Sequence, residues 1–176
     1  MAAAATDVAD HLHEQLVLDD RRRVLLRPLD PTDEDAYREF GSHLSATSIY
    51  YRFFTPRNTM SEQEVDHFLH VDQVNRYAIV AIDVDTAAIV GVGRYDHSAG
   101  TDEAEVAFIV ADEYQGKGIA TRMLTLLGAA ARRAGIARLV ASVLPDNHKM
   151  MAVFEASEWL ADRHFEDGVL QVQLDL

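Results

Sequence analysis

A chain of 176 residues, of which 48% are hydrophobic, has the length and apolar content of one folded domain rather than of a disordered or multidomain protein. Its formal net charge of −13 argues against a nucleic-acid-binding protein, because phosphate neutralisation requires clustered Lys and Arg in excess. The chain contains no cysteine, which excludes disulfide bonds, thiolate metal sites and a cysteine nucleophile.

The apolar segments are too short for a membrane protein. None approaches the ~18 to 20 consecutive apolar residues of a transmembrane helix. The first twenty residues contain no Lys or Arg and no long apolar run, so an export signal is not expected. We therefore expect a cytoplasmic protein with no membrane partner.

The chain divides into an N-terminal tail or short helix at residues 1–22 and a domain at residues 23–176. In the first segment Val8, Leu12 and Leu16 recur at four-residue spacing, which predicts a short amphipathic helix. The domain is expected to fold as one unit, because it contains neither an internal repeat nor an interior linker.

The first half of the domain is predicted to be mostly helical. A short strand is expected at residues 24–26, and Pro31 with the acidic residues after it is typical of a helix N-terminus. Ser61 and Glu64 match a capping box, in which each side chain hydrogen-bonds the backbone N–H of the other residue. Three short helices are therefore predicted, at residues 36–40 and beyond, 45–54 and 61–71.

The second half is predicted to contain most of the sheet. Apolar runs separated by short polar turns indicate an antiparallel meander, and Asp167-Gly168 is typical of a tight hairpin turn between two final strands. Apolar residues recur at helical spacing from Ile119 to Ala134. Further strands are predicted at residues 77–82, 89–95, 103–110 and 139–144, and helices at 119–134 and 148–156. This order predicts an α+β fold with a mixed, mostly antiparallel sheet flanked by helices.

The most informative segment is the loop Gln115-Gly116-Lys117-Gly118-Ile119-Ala120, which connects a predicted strand to the long predicted helix. Its two glycines allow the backbone to approach an anion closely, and the N–H groups at the start of a helix point outward. Lys117 and Arg122 add positive charge. The segment therefore predicts a binding site for a diphosphate. The alternative is a tight strand-to-helix turn with no ligand.

Two common nucleotide loops are excluded by single residues. A Walker A loop requires Gly at position 111 and Ser or Thr at position 118, where Ala111 and Gly118 stand. A dinucleotide-binding fingerprint requires Gly at position 121, where Thr121 stands. No metal site is predicted either, because His67 and His70 belong to no HExxH pattern.

The pattern Gln115-x-x-Gly118-x-Ala120 resembles the Q/R-x-x-G-x-G/A signature of the GNAT N-acetyltransferases, and the order of predicted elements around it is similar to theirs. The resemblance implies that acetyl-CoA is the co-substrate and that the loop amides hold its pyrophosphate. It also implies that the strands at 105–110 and 139–144 splay apart around the pantetheine arm. The residues expected to bind the cofactor on this basis are Phe108, Ile109, Val110, Gln115, Gly116, Lys117, Gly118, Ile119, Ala120, Thr121 and Asn147.

The domain also resembles a narrower group, the catalytic domain of bacterial Pat-type protein lysine acetyltransferases. The likeness is carried by Leu26-Arg27-Pro28, Leu44-Ser45, Tyr51-Arg52-Phe53-Phe54 and Ala104-Glu105. It implies transfer of the acetyl group to a lysine of a protein, such as an acyl-CoA synthetase, with Glu105 as the general base. A base is required because a lysine amine, with a pKa of ~10.4, is protonated at neutral pH. Glu103, on the same face two residues earlier, is the reserve.

Two further hypotheses about function stay open. The acceptor could instead be a small amine, such as a polyamine, an antibiotic or an amino acid, or the protein could bind acyl-CoA as a sensor without turnover. The general acid is also open, because many family members have a tyrosine where Phe154 stands here. In those members the tyrosine protonates the departing CoA thiolate. The thiol of CoA has a pKa comparable to the ~8.5 of cysteine, so it can also leave as thiolate without a proton donor.

Overall fold

A mixed sheet of eight strands runs through residues 13–176, the part of the chain that the computed structural model describes. The strands are β1 (Glu14–Val17), β2 (Arg23–Pro28), β3 (Arg76–Asp83), β4 (Ile89–His97), β5 (Glu103–Val110), β6 (Arg138–Val143), β7 (Leu160–Glu166) and β8 (Val169–Asp175). Their order across the sheet is β1-β2-β3-β4-β5-β6-β8-β7, and every neighbouring pair is antiparallel except β5 and β6.

Five α-helices cover the two faces of this sheet within the same residues. They are α1 (Glu34–His43), α2 (Ala46–Phe53), α3 (Glu62–Leu69), α4 (Ile119–Arg133) and α5 (His148–Glu155). The helices α4 and α5 bury Met123, Leu127 and Phe154 in one core, and α1 and α2 bury Phe40 and Ile49 in a second core. Each helix and strand predicted for the domain is present, which confirms the α+β fold. No helix of residues 13–176 is both long and apolar enough to cross a membrane.

The parallel pair β5 and β6 is short. Its register contains three residue pairs, Glu103↔Arg138, Ala104↔Leu139 and Glu105↔Val140. Beyond Glu105 the two strands no longer pair, while β5 stays paired with β4 up to Val110. The predicted splay is thus confirmed, and no other described strand occupies this edge of β5.

Local hydrogen bonds explain where α3 begins. Ser61 Oγ accepts a hydrogen bond from the Glu64 N–H at 3.3 Å, and Glu64 Oε2 accepts one from the Ser61 N–H at 2.8 Å, which completes the predicted capping box. The guanidinium of Arg57 binds both oxygens of the same carboxylate, at 2.7 and 2.8 Å. It lowers the pKa of Glu64 to about 2, so the carboxylate is ionised at neutral pH and fixes the start of the helix.

Gly128 marks the place where α4 meets Trp159. A Cβ at this position would lie 2.2 Å from the indole ring, so the ring packs directly on the helix backbone. The contact ties the helix that follows the glycine-rich loop to the chain segment after α5. Any side chain at position 128 has to displace the ring.

The N-terminal segment differs from the prediction. Val8 and Leu12 lie outside the described residues, but Leu16 lies in β1, where it pairs with Val24 of β2, and not in a helix. The helical prediction is wrong here because the strand alternation of Glu14–Val17 turns Leu16 toward the core. The sheet therefore extends into the segment predicted as a tail or helix, and the division at residue 22 stays a prediction.

Candidate active site

A cavity of about 890 Å³ lies where β5 and β6 diverge. Its volume is in the range of sites that bind organic ligands, ~300–1,000 Å³. Its wall is formed by β5 and β6, by the loop before α4, by α2, and by the first turns of α5. Among the described residues, no group of three or more His, Asp or Glu side chains is arranged to hold a metal ion.

Most of the residues predicted to bind the cofactor meet at this cavity. Those in its wall are Phe108, Ile109, Val110, Gln115, Gly116, Gly118, Ile119, Ala120, Thr121 and Asn147. Lys117 is the one predicted member that is not part of the wall. The structure therefore brings together two chain segments, the loop and the residues around Asn147, that the sequence separates by almost thirty positions.

The glycine-rich loop has a backbone that only glycine adopts easily. Gly116 and Gly118 have φ values of +70° and +84°, in the left-handed region. No described atom lies within 4 Å of a Cβ built at either position, so backbone conformation, not crowding, favours glycine. The Arg122 N–H donates to the Gly118 oxygen at 3.0 Å, so the N–H groups of residues 119–121 precede the first helical hydrogen bond. Such N–H groups at the positive end of a helix suit a phosphate.

The side chain of Gln115 holds the loop in place. Its Nε2 donates to the Val110 oxygen at 2.9 Å and to Ser48 Oγ at 3.0 Å, and its Oε1 accepts a hydrogen bond from Lys149 Nζ at 2.9 Å. The amide thus connects the end of β5, α2 and α5 around one end of the cavity. Gln115 is predicted from the sequence to contact the cofactor. In the structure, its amide nitrogen and oxygen form hydrogen bonds with the protein.

Lys117 of the loop and Arg122 of α4 are paired with carboxylates of the N-terminal hairpin, which is formed by β1, β2 and the turn between them. Lys117 Nζ lies 2.8 Å from Asp20 Oδ2, and Arg122 Nε lies 2.6 Å from Glu14 Oε1. Asp20 is also bound by Arg22 at 2.8 Å. Hydrogen bonds from Arg22 and Lys117 hold the pKa of Asp20 well below its usual range, and the ionised carboxylate is shared between these two cations.

Two residues at the cavity have structural contacts of their own. Asn147 caps α5, because its side-chain oxygen accepts a hydrogen bond from the Met150 N–H at 3.2 Å. Phe108 is buried and packs edge-on against Phe154, with ring centroids 6.2 Å apart. Phe154 therefore forms part of an apolar wall at the position where a tyrosine is common in the resembling family.

Glu105 and Glu103 have different surroundings, although they lie on the same strand face. Glu105 is the last β5 residue paired with β6, is exposed, and lines the cavity. Glu103 accepts a hydrogen bond from Arg138 at 2.6 Å and is not part of the cavity wall. Glu105, the predicted base, thus lies at the cavity, whereas Glu103, the second candidate, does not.

A cluster of charged side chains lies on the α2 side of Glu105. Asp96 of β4 is the cross-strand partner of Glu105 and is bound by Arg76 and Arg94, at 3.1 Å each. Arg52 of α2 lines the same cavity as Glu105. Burial and the nearby Arg94 lower the pKa of Arg52, and the negative charge of Glu105 opposes that shift. This part of the cavity therefore contains the carboxylate of Glu105 and the guanidinium of Arg52.

Two tyrosines line the cavity in the described part of the chain. Tyr114 donates its hydroxyl hydrogen bond to the buried Asp83 at 2.7 Å. Tyr51 lies on α2, and partial desolvation together with the charge of Asp146 raises its pKa. No residue pattern in the sequence assigns Tyr51 to the site, although its spacing from Ser48 places both on one face of a helix.

The chain is similar to a described family of enzymes. A family model for the acetyltransferase (GNAT) domain matches residues 23–158, which contain the cavity wall and Glu105. The crystal structure of the GNAT domain of S. lividans PAT superposes with a TM-score of 0.85 at 37% sequence identity, and the match covers 94% of this chain and 98% of that one.

Two curated proteins are also similar. An acetyltransferase of Pseudomonas aeruginosa is 29% identical over 169 residues, which are 95% of this chain and 90% of that protein. The acetyltransferase Pat of Mycolicibacterium smegmatis is 27% identical over 156 residues, which are 86% of this chain and 45% of that protein. The chain thus matches less than half the length of the mycobacterial Pat.

Proposed function

The chain belongs to the GNAT acetyltransferase family, and from that premise we propose that it transfers an acetyl group from acetyl-CoA to the side-chain amine of a protein lysine. The choice of acceptor rests on one observation, the 37% identity to the GNAT domain of S. lividans PAT over 98% of that domain. An acyl-CoA synthetase is the proposed acceptor protein, as the Pat-like motifs imply. The same proposal has the enzyme act in the cytoplasm.

The loop before α4 fits the diphosphate of acetyl-CoA. The N–H groups of residues 119–121 supply hydrogen-bond donors, and Gly116 and Gly118 leave the approach to them open. The pantetheine arm, an extended chain with two amides, fits along the edge of β5 that β6 leaves after Glu105. Backbone N–H and C=O groups at such an edge require partners, which those amides supply.

The acceptor amine is proposed to enter from the side of α2. Tyr50 and Phe54 of this segment are exposed large side chains, and Phe54 also lines the cavity. Apolar surface of this kind accommodates the methylene chain of a lysine while its charged end continues inward. In this binding mode the lysine nitrogen reaches Glu105 at the mouth of the splay.

The proposed reaction is a direct transfer with Glu105 as the base. Glu105 takes one proton from the ammonium group, and the neutral nitrogen then attacks the thioester carbonyl. The C–N bond forms and the C–S bond breaks, so the electron pair of that bond leaves with the sulfur as thiolate. The second proton of the nitrogen passes to the thiolate or to water. Positioning of the two substrates at one cavity supplies the remaining acceleration.

Competition between acceptors tests this proposal. Purified protein and acetyl-CoA are incubated with an acyl-CoA synthetase, and separately with a panel of polyamines, aminoglycosides and amino acids, while the release of free thiol is measured. We expect kcat/KM to be orders of magnitude higher for the synthetase. A higher value for one of the small amines would replace the lysine proposal with a small-amine acetyltransferase. Acetyl-CoA binding without thiol release for any acceptor would instead support a sensor.

A further inference from the structure

The chain contains two lysines, Lys117 and Lys149, and they come to the glycine-rich loop from different places. Lys117 belongs to the loop itself, whereas Lys149 is the second residue of α5. Lys149 lines the cavity and Lys117 does not. The lysine that the loop sequence favours as a ligand for phosphate is therefore the one outside the cavity wall.

The partners of the two ammonium groups differ in charge. Lys117 Nζ lies 2.8 Å from the carboxylate of Asp20, which it shares with Arg22, so this ammonium group already has an anionic partner within the protein. Lys149 Nζ donates to the amide oxygen of Gln115 at 2.9 Å, a neutral partner that positions the ammonium without cancelling its charge. The carboxylates of Asp112 and Asp146 also line the cavity, but among the described residues neither forms an ion pair with Lys149. The ammonium group of Lys149 can therefore pair with an anion that enters the cavity.

The orientation of the Gln115 amide is fixed by its other contacts. Its nitrogen lies 2.9 Å from the Val110 oxygen, which only accepts hydrogen bonds. The amide oxygen must therefore point the other way, toward Lys149 Nζ. Gln115 thereby holds the Lys149 ammonium beside the loop whose N–H groups suit a phosphate.

We propose that Lys149, rather than Lys117, supplies the cationic side chain that binds the pyrophosphate of acetyl-CoA. The inference rests on the proposed function, in which the loop binds this diphosphate. It assigns Gln115 a positioning role, because that side chain holds the ammonium in place. The hairpin carboxylates Asp20 and Glu14 keep Lys117 and Arg122 occupied in the same arrangement.

The test measures affinity by calorimetry for CoA, dephospho-CoA and pantetheine. The variants are Lys149→Gln, which removes the charge but keeps a hydrogen-bonding side chain, Lys149→Arg, which restores the charge, and Lys117→Gln as the matched comparison. Loss of a charge-assisted hydrogen bond to phosphate corresponds to a decrease of about tenfold or more in affinity. Because Lys149 is exposed, its replacement is not expected to affect folding.

We expect Lys149→Gln to bind CoA and dephospho-CoA about tenfold more weakly and pantetheine with unchanged affinity. Lys149→Arg should recover most of the loss, and Lys117→Gln should change CoA affinity less than twofold. The opposite ranking of the two Gln variants would overturn the inference. So would a loss confined to CoA, which would assign Lys149 to the 3′-phosphate, or an equal loss for pantetheine, which would indicate a change in loop shape. Wild-type protein that binds no CoA would contradict the proposed function as well.

Discussion

Replacement of Glu105 by glutamine removes the proposed base and keeps the size of the side chain. The side chain is exposed and lines the cavity, so glutamine leaves no internal void and no buried unpaired group. Surface changes of this type alter stability by ~0.5 kcal/mol or less, and unfolding therefore cannot account for lost activity. Glu105 lies where β5 and β6 begin to diverge, away from the glycine-rich loop. The affinity for acetyl-CoA should therefore stay close to that of the wild type.

The expected effect of Glu105→Gln is a decrease in kcat of about 10²- to 10⁴-fold, the usual contribution of a positioned general base. At 1.36 kcal/mol per factor of ten, this is about 3 to 5 kcal/mol of barrier. The assay is thiol release with a protein lysine acceptor, together with calorimetry of acetyl-CoA binding. Unchanged affinity with lost turnover separates a role in proton transfer from a role in cofactor binding.

Glu103→Gln is the matched control for this experiment. Glu103 lies two residues away on the same face, but its carboxylate binds Arg138 and is not part of the cavity wall. We expect the control to keep wild-type turnover. Full activity in Glu105→Gln combined with loss of activity in Glu103→Gln would show that Glu103, and not Glu105, is the base. Full activity in both would refute a carboxylate base on β5 and leave proton removal to water or to backbone carbonyls.

Three further predictions follow from the loop, the core and one ion pair. Gly118→Asp should abolish acetyl-CoA binding, because residue 118 has a φ of +84° and a carboxylate there would repel the pyrophosphate. Unchanged affinity by calorimetry in a folded variant would show that the loop does not bind the pyrophosphate. Gly128→Ala should destabilise the fold by about 1 to 3 kcal/mol in urea titration, because the new methyl group would lie 2.2 Å from Trp159. A stabilised variant would show that the indole ring can move away at no cost. The ion pair with Arg57 lowers the pKa of Glu64 to about 2, so its contribution should be complete above the ordinary pKa of ~4.5 and lost as the pH falls toward 2. Glu64→Gln should therefore be less stable than the wild type at pH 7 and equal to it near pH 2, and a stability difference that does not change with pH would contradict this.

The loop and the strand that leads to it can be predicted from the sequence because both are specified locally. A left-handed backbone at two positions requires Gly116 and Gly118 wherever the rest of the chain lies. The alternation of buried and exposed residues from Glu103 to Val110 likewise belongs to one strand. The splay of β5 from β6 followed from family resemblance and not from any property of the residues themselves.

The features that the sequence did not predict depend on contacts between distant residues. Asp20 and Lys117 are almost one hundred positions apart, and no local pattern indicates that they form an ion pair. Lys149 and Gln115 meet only because α5 and the loop approach the same cavity. Leu16 fits a helical repeat in the sequence, yet pairing with β2 decides its conformation. In each case a non-local partner, supplied by the fold, outweighs the local pattern.

The central claim is the transfer of an acetyl group from acetyl-CoA to a lysine of a protein. The most direct measurement incubates the enzyme and isotope-labelled acetyl-CoA with a cell lysate and identifies labelled lysines by mass spectrometry, with Glu105→Gln as the control. We expect the wild type to label specific lysines on a small set of proteins, acyl-CoA synthetases among them, and the variant to label almost none. Label found only on free small amines, or equal labelling by both proteins, would contradict this expectation.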